Sequence, residues 1–137
     1  MISIDFEEIK IVDFGISAKV NESETVMNRS MIGTPWYMAP EVILEKPYSF
    51  EADIWSIGCM LYELICGEKP YNDNNSFNAM LKMAQYTFPI EYASEDIKDI
   101  FYDKSNRNLL EFVQQCWRAN NIFRPSAADL LKHKYIK

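Results

Sequence analysis

The sequence predicts a mainly α-helical domain with a short β-hairpin at its N-terminus. Residues 50–66 are apolar on nearly every side of a helix, which is typical of a helix in the middle of a fold. Two further segments, 76–85 and 109–117, repeat apolar residues at helical spacing. Residues 2–12 instead alternate with the period of two that a strand requires.

The composition limits the class of protein and its partners. A chain of 137 residues is long enough for one domain with a sizeable core. The net charge of −6, with its basic residues scattered, argues against nucleic acid or an anionic membrane as a partner. We expect no signal peptide and no membrane-spanning segment, because the most apolar stretch is short and contains Asp53 and Glu63.

The cysteines predict a reducing compartment. Cys59, Cys66 and Cys116 are odd in number and lack the spacing of a metal site. His133 is the single histidine, so a zinc site would have too few ligands. Reduced thiols therefore indicate a cytoplasmic protein, with the nucleus as the other possibility.

The first elements in chain order are two short strands and a loop. Ile2, Ile4 and Phe6 alternate with polar residues, and the apolar run 9–12 follows an acidic turn. This pattern predicts a hairpin over 1–12, although any surface hairpin would produce it. Residues 16–32 have no periodicity and many hydroxyl and amide side chains, which is typical of an exposed loop.

Two helices should follow the loop. A short helix is predicted over 40–45, with Pro40 in its first turn. Ser49 is the predicted cap of the central helix, whose first turn carries two acidic residues that favour the positive end of the helix dipole. Gly67 is the predicted stop of that helix.

Three later segments complete the helical part. The helix over 76–85 should bury a stripe of apolar side chains, and the loosely patterned stretch 86–103 offers three core contacts. The helix near 109–117 has another stripe, and Ser126 with Asp129 predicts a capping box for a last helix. The predicted core residues of these segments are Phe77, Met80, Leu81, Ala84, Ile97, Ile100, Phe101, Leu109, Leu110, Phe112, Val113, Cys116 and Trp117.

Two motifs bracket the loop near the N-terminus. The tripeptide Asp13-Phe14-Gly15 follows a strand-like run, and Ala39-Pro40-Glu41 closes the segment after Gly33-Thr34-Pro35. One such tripeptide is a weak signal, but both brackets in order with a polar loop between them are specific. The segment 13–41 resembles the activation segment of a eukaryotic protein kinase.

The resemblance covers the whole chain. Residues 1–12 resemble the hairpin before that segment, and 49–137 resemble the helical subdomain of the kinase C-lobe, ending in RPSAADLLKHKYI. It implies a partial protein kinase domain over 1–137 of mainly α architecture. Gly33-Thr34-Pro35 indicates the serine/threonine type, and the wider pattern is similar to mitogen-activated protein kinase kinase kinases.

The resemblance assigns roles at the site. Asp13 would hold the magnesium ion that bridges the phosphates of ATP, Phe14 would pack in the core and orient it, and Gly15 would let the loop turn. Thr34 would contact the catalytic aspartate and help to choose the acceptor hydroxyl. Magnesium and ATP are thus the implied cofactors, and a protein is the implied substrate.

The resemblance also implies a phosphorylation switch and structural residues. Ser30, after Arg29, lies where related kinases carry an activating phosphate; Ser23 and Thr25 are alternatives, and simple polar loop residues remain equally open. The resemblance further implies a buried ion pair and a scaffold carboxylate that accepts from the catalytic loop. These structural residues are Glu41 and Arg124 for the pair and Asp53 for the carboxylate.

Several kinase motifs are absent from the sequence. The four glycines do not form G-x-G-x-x-G, and the position of His133 excludes an HRD motif, so the N-lobe and the catalytic loop are missing. We therefore expect the chain alone to be inactive and to bind magnesium and ATP weakly. The uncovered side of the central helix should expose apolar surface and permit self-association. A non-catalytic module that binds a kinase or its substrate is the alternative function, and an unrelated helical binding domain is a third.

Overall fold

A computed structural model describes residues 9–17, 33–71, 73 and 75–137. Within these residues the protein is mainly helical, which confirms the predicted fold class. The α-helices are α1 Pro40–Ile43, α2 Glu51–Cys66, α3 Ser76–Ala84, α4 Glu95–Tyr102, α5 Arg107–Cys116 and α6 Ala127–Leu130. Short 3-10 helices span Pro35–Tyr37, Pro89–Tyr92, Lys104–Asn106 and Asn121–Phe123. The hairpin over 1–12 stays a prediction, since residues 1–8 lie outside the described part.

Helix α2 is the element on which the others pack. Trp55, Cys59 and Tyr62 are fully buried along one side, where α5 crosses it. The ring of Tyr62 stacks on Phe101 of α4 at 5.8 Å and contacts Trp117 at 6.1 Å. These large aromatic side chains tie α2, α4 and the end of α5 into one core.

The start of α2 differs from the prediction, whereas its end agrees. Ser49 does not cap the helix: Phe50 is the capping residue, and no side-chain hydrogen bond caps it. The Ser49 carbonyl already accepts from the Ala52 amide at 3.1 Å, so a backbone turn begins the helix and the hydroxyl has no such role. Gly67 ends the helix in the left-handed conformation, with φ 71°.

The other side of α2 is partly exposed within the described part of the chain. Met60 is half exposed and Leu64 is 74% exposed, whereas Ile57 and Leu61 are partly buried. These four residues, at helical spacing, form what we call the α2 apolar stripe. The expected exposed apolar surface is therefore present among the described residues.

Helix α3 buries a different face from the predicted one. Ala79 and Met83 are fully buried against the region of α1 and Pro35–Tyr37, while Phe77 is 60% exposed and Leu81 is also exposed. The predicted stripe was therefore wrong at Phe77 and Leu81, whereas Met80 and Ala84 are partly buried. Small Ala79 permits close approach of the packed elements, and Met83 fills the space beside it.

The last helices largely follow the prediction. Ile97 and Phe101 of α4 are buried, but Ile100 is exposed. All of the predicted α5 stripe is buried except Leu110, which is partly buried. Helix α6 begins with the predicted capping box, in which the Ser126 side chain accepts from the Asp129 amide.

Among the described residues, no helix combines the length and the apolar character needed to cross a membrane.

Candidate functional site

A groove lies between the segment that precedes α1 and the first two turns of α2. Its volume is about 490 Å³, and we call it the α2 groove. Its walls carry several hydroxyl groups and one carboxylate, which gives it mixed polar and apolar character. The residues that line it are Ile16, Ser17, Gly33, Thr34, Tyr37, Met38, Ala39, Val42, Tyr48, Ser49, Phe50, Ala52, Asp53 and Ser56.

One wall is a short turn that begins at Thr34. The Thr34 carbonyl accepts from the Tyr37 amide at 3.2 Å, which starts the 3-10 helix Pro35–Tyr37. Gly33 has φ 140°, and a Cβ atom there would lie 3.1 Å from Met38 Cε. Because an L side chain rarely adopts this backbone conformation, glycine is favoured at this position. The Thr34 side chain is exposed at the groove.

Tyr37 joins this wall to α2. The Ser56 hydroxyl donates to the Tyr37 carbonyl at 2.8 Å, and the Tyr37 hydroxyl donates to a carboxylate oxygen of Glu63. The bond to Glu63, with partial burial, raises the pKa of Tyr37 to about 12. The phenol therefore stays protonated and remains a donor.

Trp36 joins the same wall to the loop before α3. Its indole N–H donates to the Asp73 carbonyl at 3.1 Å, and the Lys69 ammonium lies 4.2 Å from the centre of its ring. The Asp73 carboxylate in turn pairs with Lys82 of α3 at 3.3 Å. The groove wall thus contacts both α2 and the α3 region.

Asp53 supplies the carboxylate of the groove. It lies in the first turn of α2 and is exposed on the groove side. The surrounding protein nevertheless excludes part of its water, and this desolvation raises the pKa of its carboxyl. Because its side chain is exposed in the groove, Asp53 can accept hydrogen bonds from a group that enters there.

The Asp13-Phe14-Gly15 motif lies on the surface. The Asp13 carboxylate accepts from the Gly15 amide at 3.3 Å, and the Asp13 backbone is left-handed with φ 65°. Phe14 is 67% exposed, which contradicts the expectation that it packs in the core. Every residue from 9 to 17 is exposed, so within that described segment the ring has no buried apolar neighbour.

The structure brings Glu41 and Arg124 together below the groove. Two parallel bonds join the side chains at 2.5 and 2.8 Å, and the pair is almost fully buried. Arg124 also donates to the carbonyls of Glu51 and Arg118 at 3.0 and 2.9 Å. The pair therefore ties the start of α1 to α2 and to the loop after α5.

The predicted site residues divide into three groups. Thr34 and Asp53 both line the groove, whereas Asp13 does not. Ser23, Thr25 and Ser30 lie outside the described residues, so their role as phosphorylation sites stays a prediction.

Three residues that hold the groove wall were not predicted. They are Trp36, Ser56 and Glu63. A signal for the last two existed in the sequence, because they are polar positions two turns apart in an otherwise apolar helix.

The described residues would supply few of the ligands that a magnesium–nucleotide site needs. Among the described residues, no group of three or more histidine, cysteine or acidic side chains could hold a metal ion. Magnesium is commonly bound by one or two carboxylates together with waters and substrate phosphates. Asp13, an exposed hard oxygen donor, fits one such ligand and no more.

Comparison with known proteins gives a consistent result. Residues 1–136 match the protein kinase domain family. The chain is 35% identical over 130 residues to the serine/threonine-protein kinase shk1/pak1 of Schizosaccharomyces pombe, which covers 95% of this chain and 18% of that protein.

Two further relatives have the same range of identity. The serine/threonine-protein kinase ste20 of Emericella nidulans is 36% identical over 136 residues, covering 99% of this chain and 15% of that protein. Mitogen-activated protein kinase kinase kinase 2 of Arabidopsis thaliana is 36% identical over 129 residues, covering 93% of this chain and 19% of that protein. The chain thus spans about a fifth or less of the length of these relatives.

Proposed function

Because the chain belongs to the protein kinase domain family, we propose that it forms the C-lobe part of a serine/threonine kinase domain. The parent enzyme would transfer the γ-phosphate of ATP to a serine or threonine of a protein substrate. The α2 groove is the observation that carries this proposal. Thr34 and Asp53, the two residues to which the kinase resemblance gives roles beside the acceptor and the catalytic loop, both line this groove.

The chemistry assigns different tasks to the residues of this chain. Phosphoryl transfer passes through a loose transition state, so catalysis depends on positioning and on neutralising charge. A bound magnesium ion would supply most of that neutralisation, with Asp13 as one of its ligands. Thr34 would orient the acceptor hydroxyl. The buried Glu41–Arg124 pair would keep the segment before α1 fixed on the helices.

The catalytic base and the nucleotide clamp would come from parts of a kinase domain that these 137 residues do not contain. The sequence has neither a G-x-G-x-x-G motif nor an HRD motif. We expect the isolated 137-residue chain to transfer no phosphate and to bind magnesium-ATP weakly. Its three free thiols support a cytoplasmic or nuclear setting for the protein.

The test joins the missing half of the domain to this chain. The upstream part of the kinase domain of the Schizosaccharomyces pombe relative is fused before residue 1, and phosphate transfer to a serine/threonine-rich acceptor protein is measured. We expect magnesium-dependent activity, and a loss of about 100-fold or more in Asp13→Asn because a ligand of the metal is removed. Asp96→Asn, an exposed carboxylate on α4, is the matched control and should leave the activity unchanged.

Two outcomes would contradict the proposal. A fused domain that melts cooperatively but transfers no phosphate would rule out the kinase assignment for this chain. Saturation of the isolated chain with magnesium-ATP at micromolar concentration would rule out its weak binding.

The α2 apolar stripe favours a second candidate function. The stripe is partly or largely exposed, with Leu64 exposed to 74%, and it begins about one turn after Asp53 on the same helix. Such a surface is typical of a protein-binding site or of self-association. The chain would then act as a non-catalytic module that binds a partner kinase or a substrate.

A further inference from the structure

Tyr37 contacts α2 at two points along one side of the helix. The Ser56 hydroxyl holds its carbonyl at 2.8 Å, and Glu63 accepts from its phenol. Ser56 and Glu63 are seven residues apart, which is close to two full turns, so their side chains leave the helix on the same side. The tyrosine therefore lies along α2, with its backbone at the turn of Ser56 and its hydroxyl directed toward the turn of Glu63.

The two contacts differ in strength. A carboxylate is a charged acceptor, and hydrogen bonds to charged groups are about twice as strong as neutral ones. The bond from Ser56 joins two neutral groups. Tyr37 is partly buried, so both bonds are shielded from water to some extent. The Glu63 end is thus the firmer one.

The Ser56 end has a property that makes it releasable. The same hydroxyl lies 3.3 Å from the Ala52 carbonyl of its own helix. A hydroxyl has one hydrogen and can donate to one acceptor at a time, and the shorter distance favours Tyr37. If the Tyr37 carbonyl moved away, Ser56 could donate to Ala52, a bond that serine commonly makes inside helices. The donor would then stay satisfied, which lowers the free energy of release.

We propose that Ser56 and Glu63 are positioning residues that form a strap for the Thr34–Tyr37 turn, with Glu63 as the firm end and Ser56 as the releasable end. The strap sets the distance of Thr34 from α2 and hence the width of the α2 groove. Its meaning for an acceptor protein rests on the proposed kinase function, whereas the strap itself does not depend on that function.

Amide hydrogen exchange of the intact 137-residue chain tests the strap. The amides of Tyr37 and Met38 report on it, since each closes the turn with a bond of 3.2 Å. The Trp117 amide, bonded to the Val113 carbonyl at 3.0 Å, is the reference for the core. In Ser56→Ala we expect exchange at Tyr37 and Met38 about fivefold faster, with Trp117 unchanged. Glu63→Ala should accelerate the same two amides about tenfold or more.

Two variants separate a positioning role from a general one. Ser56→Thr keeps the hydroxyl and should restore the exchange of Tyr37 and Met38 to within twofold of the natural chain. Ser94→Ala removes the exposed hydroxyl of the N-cap residue of α4, which makes no capping hydrogen bond, and should change nothing at Tyr37 and Met38.

Three results would overturn the strap. These are an unchanged rate at Tyr37 and Met38 in Ser56→Ala, an equal acceleration of the Trp117 amide, and a failure of Ser56→Thr to restore protection. A larger effect for Ser56→Ala than for Glu63→Ala would overturn the assignment of the firm end. An inactive fused kinase domain together with the expected exchange pattern would reject the proposed function and leave the strap intact.

Discussion

At the scale of single residues, the contribution of the buried Glu41–Arg124 pair to stability depends on the partners that surround it. Arg124 forms a bidentate pair with Glu41 and two further bonds to backbone carbonyls, so every part of its guanidinium faces an acceptor or the Trp55 ring at 5.1 Å. Burial removes both charges from water, and only this set of partners offsets the loss. Removal of either partner should therefore lower the free energy of unfolding far more than removal of a partner from an exposed pair.

We expect Arg124→Met to destabilise the chain by about 3–5 kcal/mol, because the Glu41 carboxylate would be stranded in the core. Urea unfolding followed by tryptophan fluorescence measures the change. The matched control is Arg107→Met, which breaks an exposed pair with Glu111 at 2.9 Å and should cost less than about 0.5 kcal/mol. Equal losses in the two variants would contradict this account of the pair.

At the scale of elements, α2 was largely predictable from its sequence. Gly67 ends the helix as predicted, because a residue in left-handed conformation is a local feature of the chain. The capping residue was not predictable in the same way. The Ser49 carbonyl accepts from the Ala52 amide in a backbone turn, so the helix begins without a hydrogen bond from the Ser49 hydroxyl. Local signals therefore located α2 to within about two residues.

The buried face of α3 shows what local signals miss. Hydrophobicity alone favours a stripe that contains Phe77 and Leu81, yet the structure buries Ala79 and Met83. The choice depends on how closely α1 and Pro35–Tyr37 approach α3, and that is a tertiary constraint absent from the pattern. The core position that the kinase resemblance implied for Phe14 was wrong as well, since that ring is 67% exposed.

Gly58 lies where α2 packs closely against Cys116 and Trp117 at the end of α5. A Cβ atom there would lie 2.7 Å from the Trp117 indole nitrogen and 2.8 Å from Cys116 Cβ. Overpacking of this kind costs about 1–3 kcal/mol, and the better helix propensity of alanine returns about 1 kcal/mol at most. Because the cost of overpacking exceeds the gain in helix propensity, we expect a net loss of stability.

We therefore expect Gly58→Ala to lower the free energy of unfolding by up to about 2 kcal/mol. Leu64→Ala, at an exposed position of the same helix, is the control and should change it by less than about 0.5 kcal/mol. Thermal and urea unfolding of both variants provide the measurement. A Gly58→Ala chain as stable as the natural one would show that α5 moves aside at no cost.

At the scale of the whole molecule, the groove and the apolar stripe lie on consecutive turns of α2. Asp53 and Ser56 face the groove, and the stripe of Ile57, Met60, Leu61 and Leu64 begins one residue later. The expectation that α2 would expose apolar surface agrees with the described residues, since Met60 and Leu64 are exposed. Which residues form the groove wall was not predictable, since Trp36, Ser56 and Glu63 act through tertiary hydrogen bonds.

The uncovered stripe leads to a prediction about association. Burial of one leucine side chain contributes about 1.5–3 kcal/mol, so Leu64→Glu should weaken self-association tenfold or more. Sedimentation velocity over a range of concentrations measures it, with Phe77→Glu as the control because that exposed ring lies on α3, away from the stripe. If the natural chain stays monomeric at every concentration, or if both variants weaken association equally, the stripe is not the associating surface. A change confined to Leu64→Glu would identify the side of α2 that another protein covers.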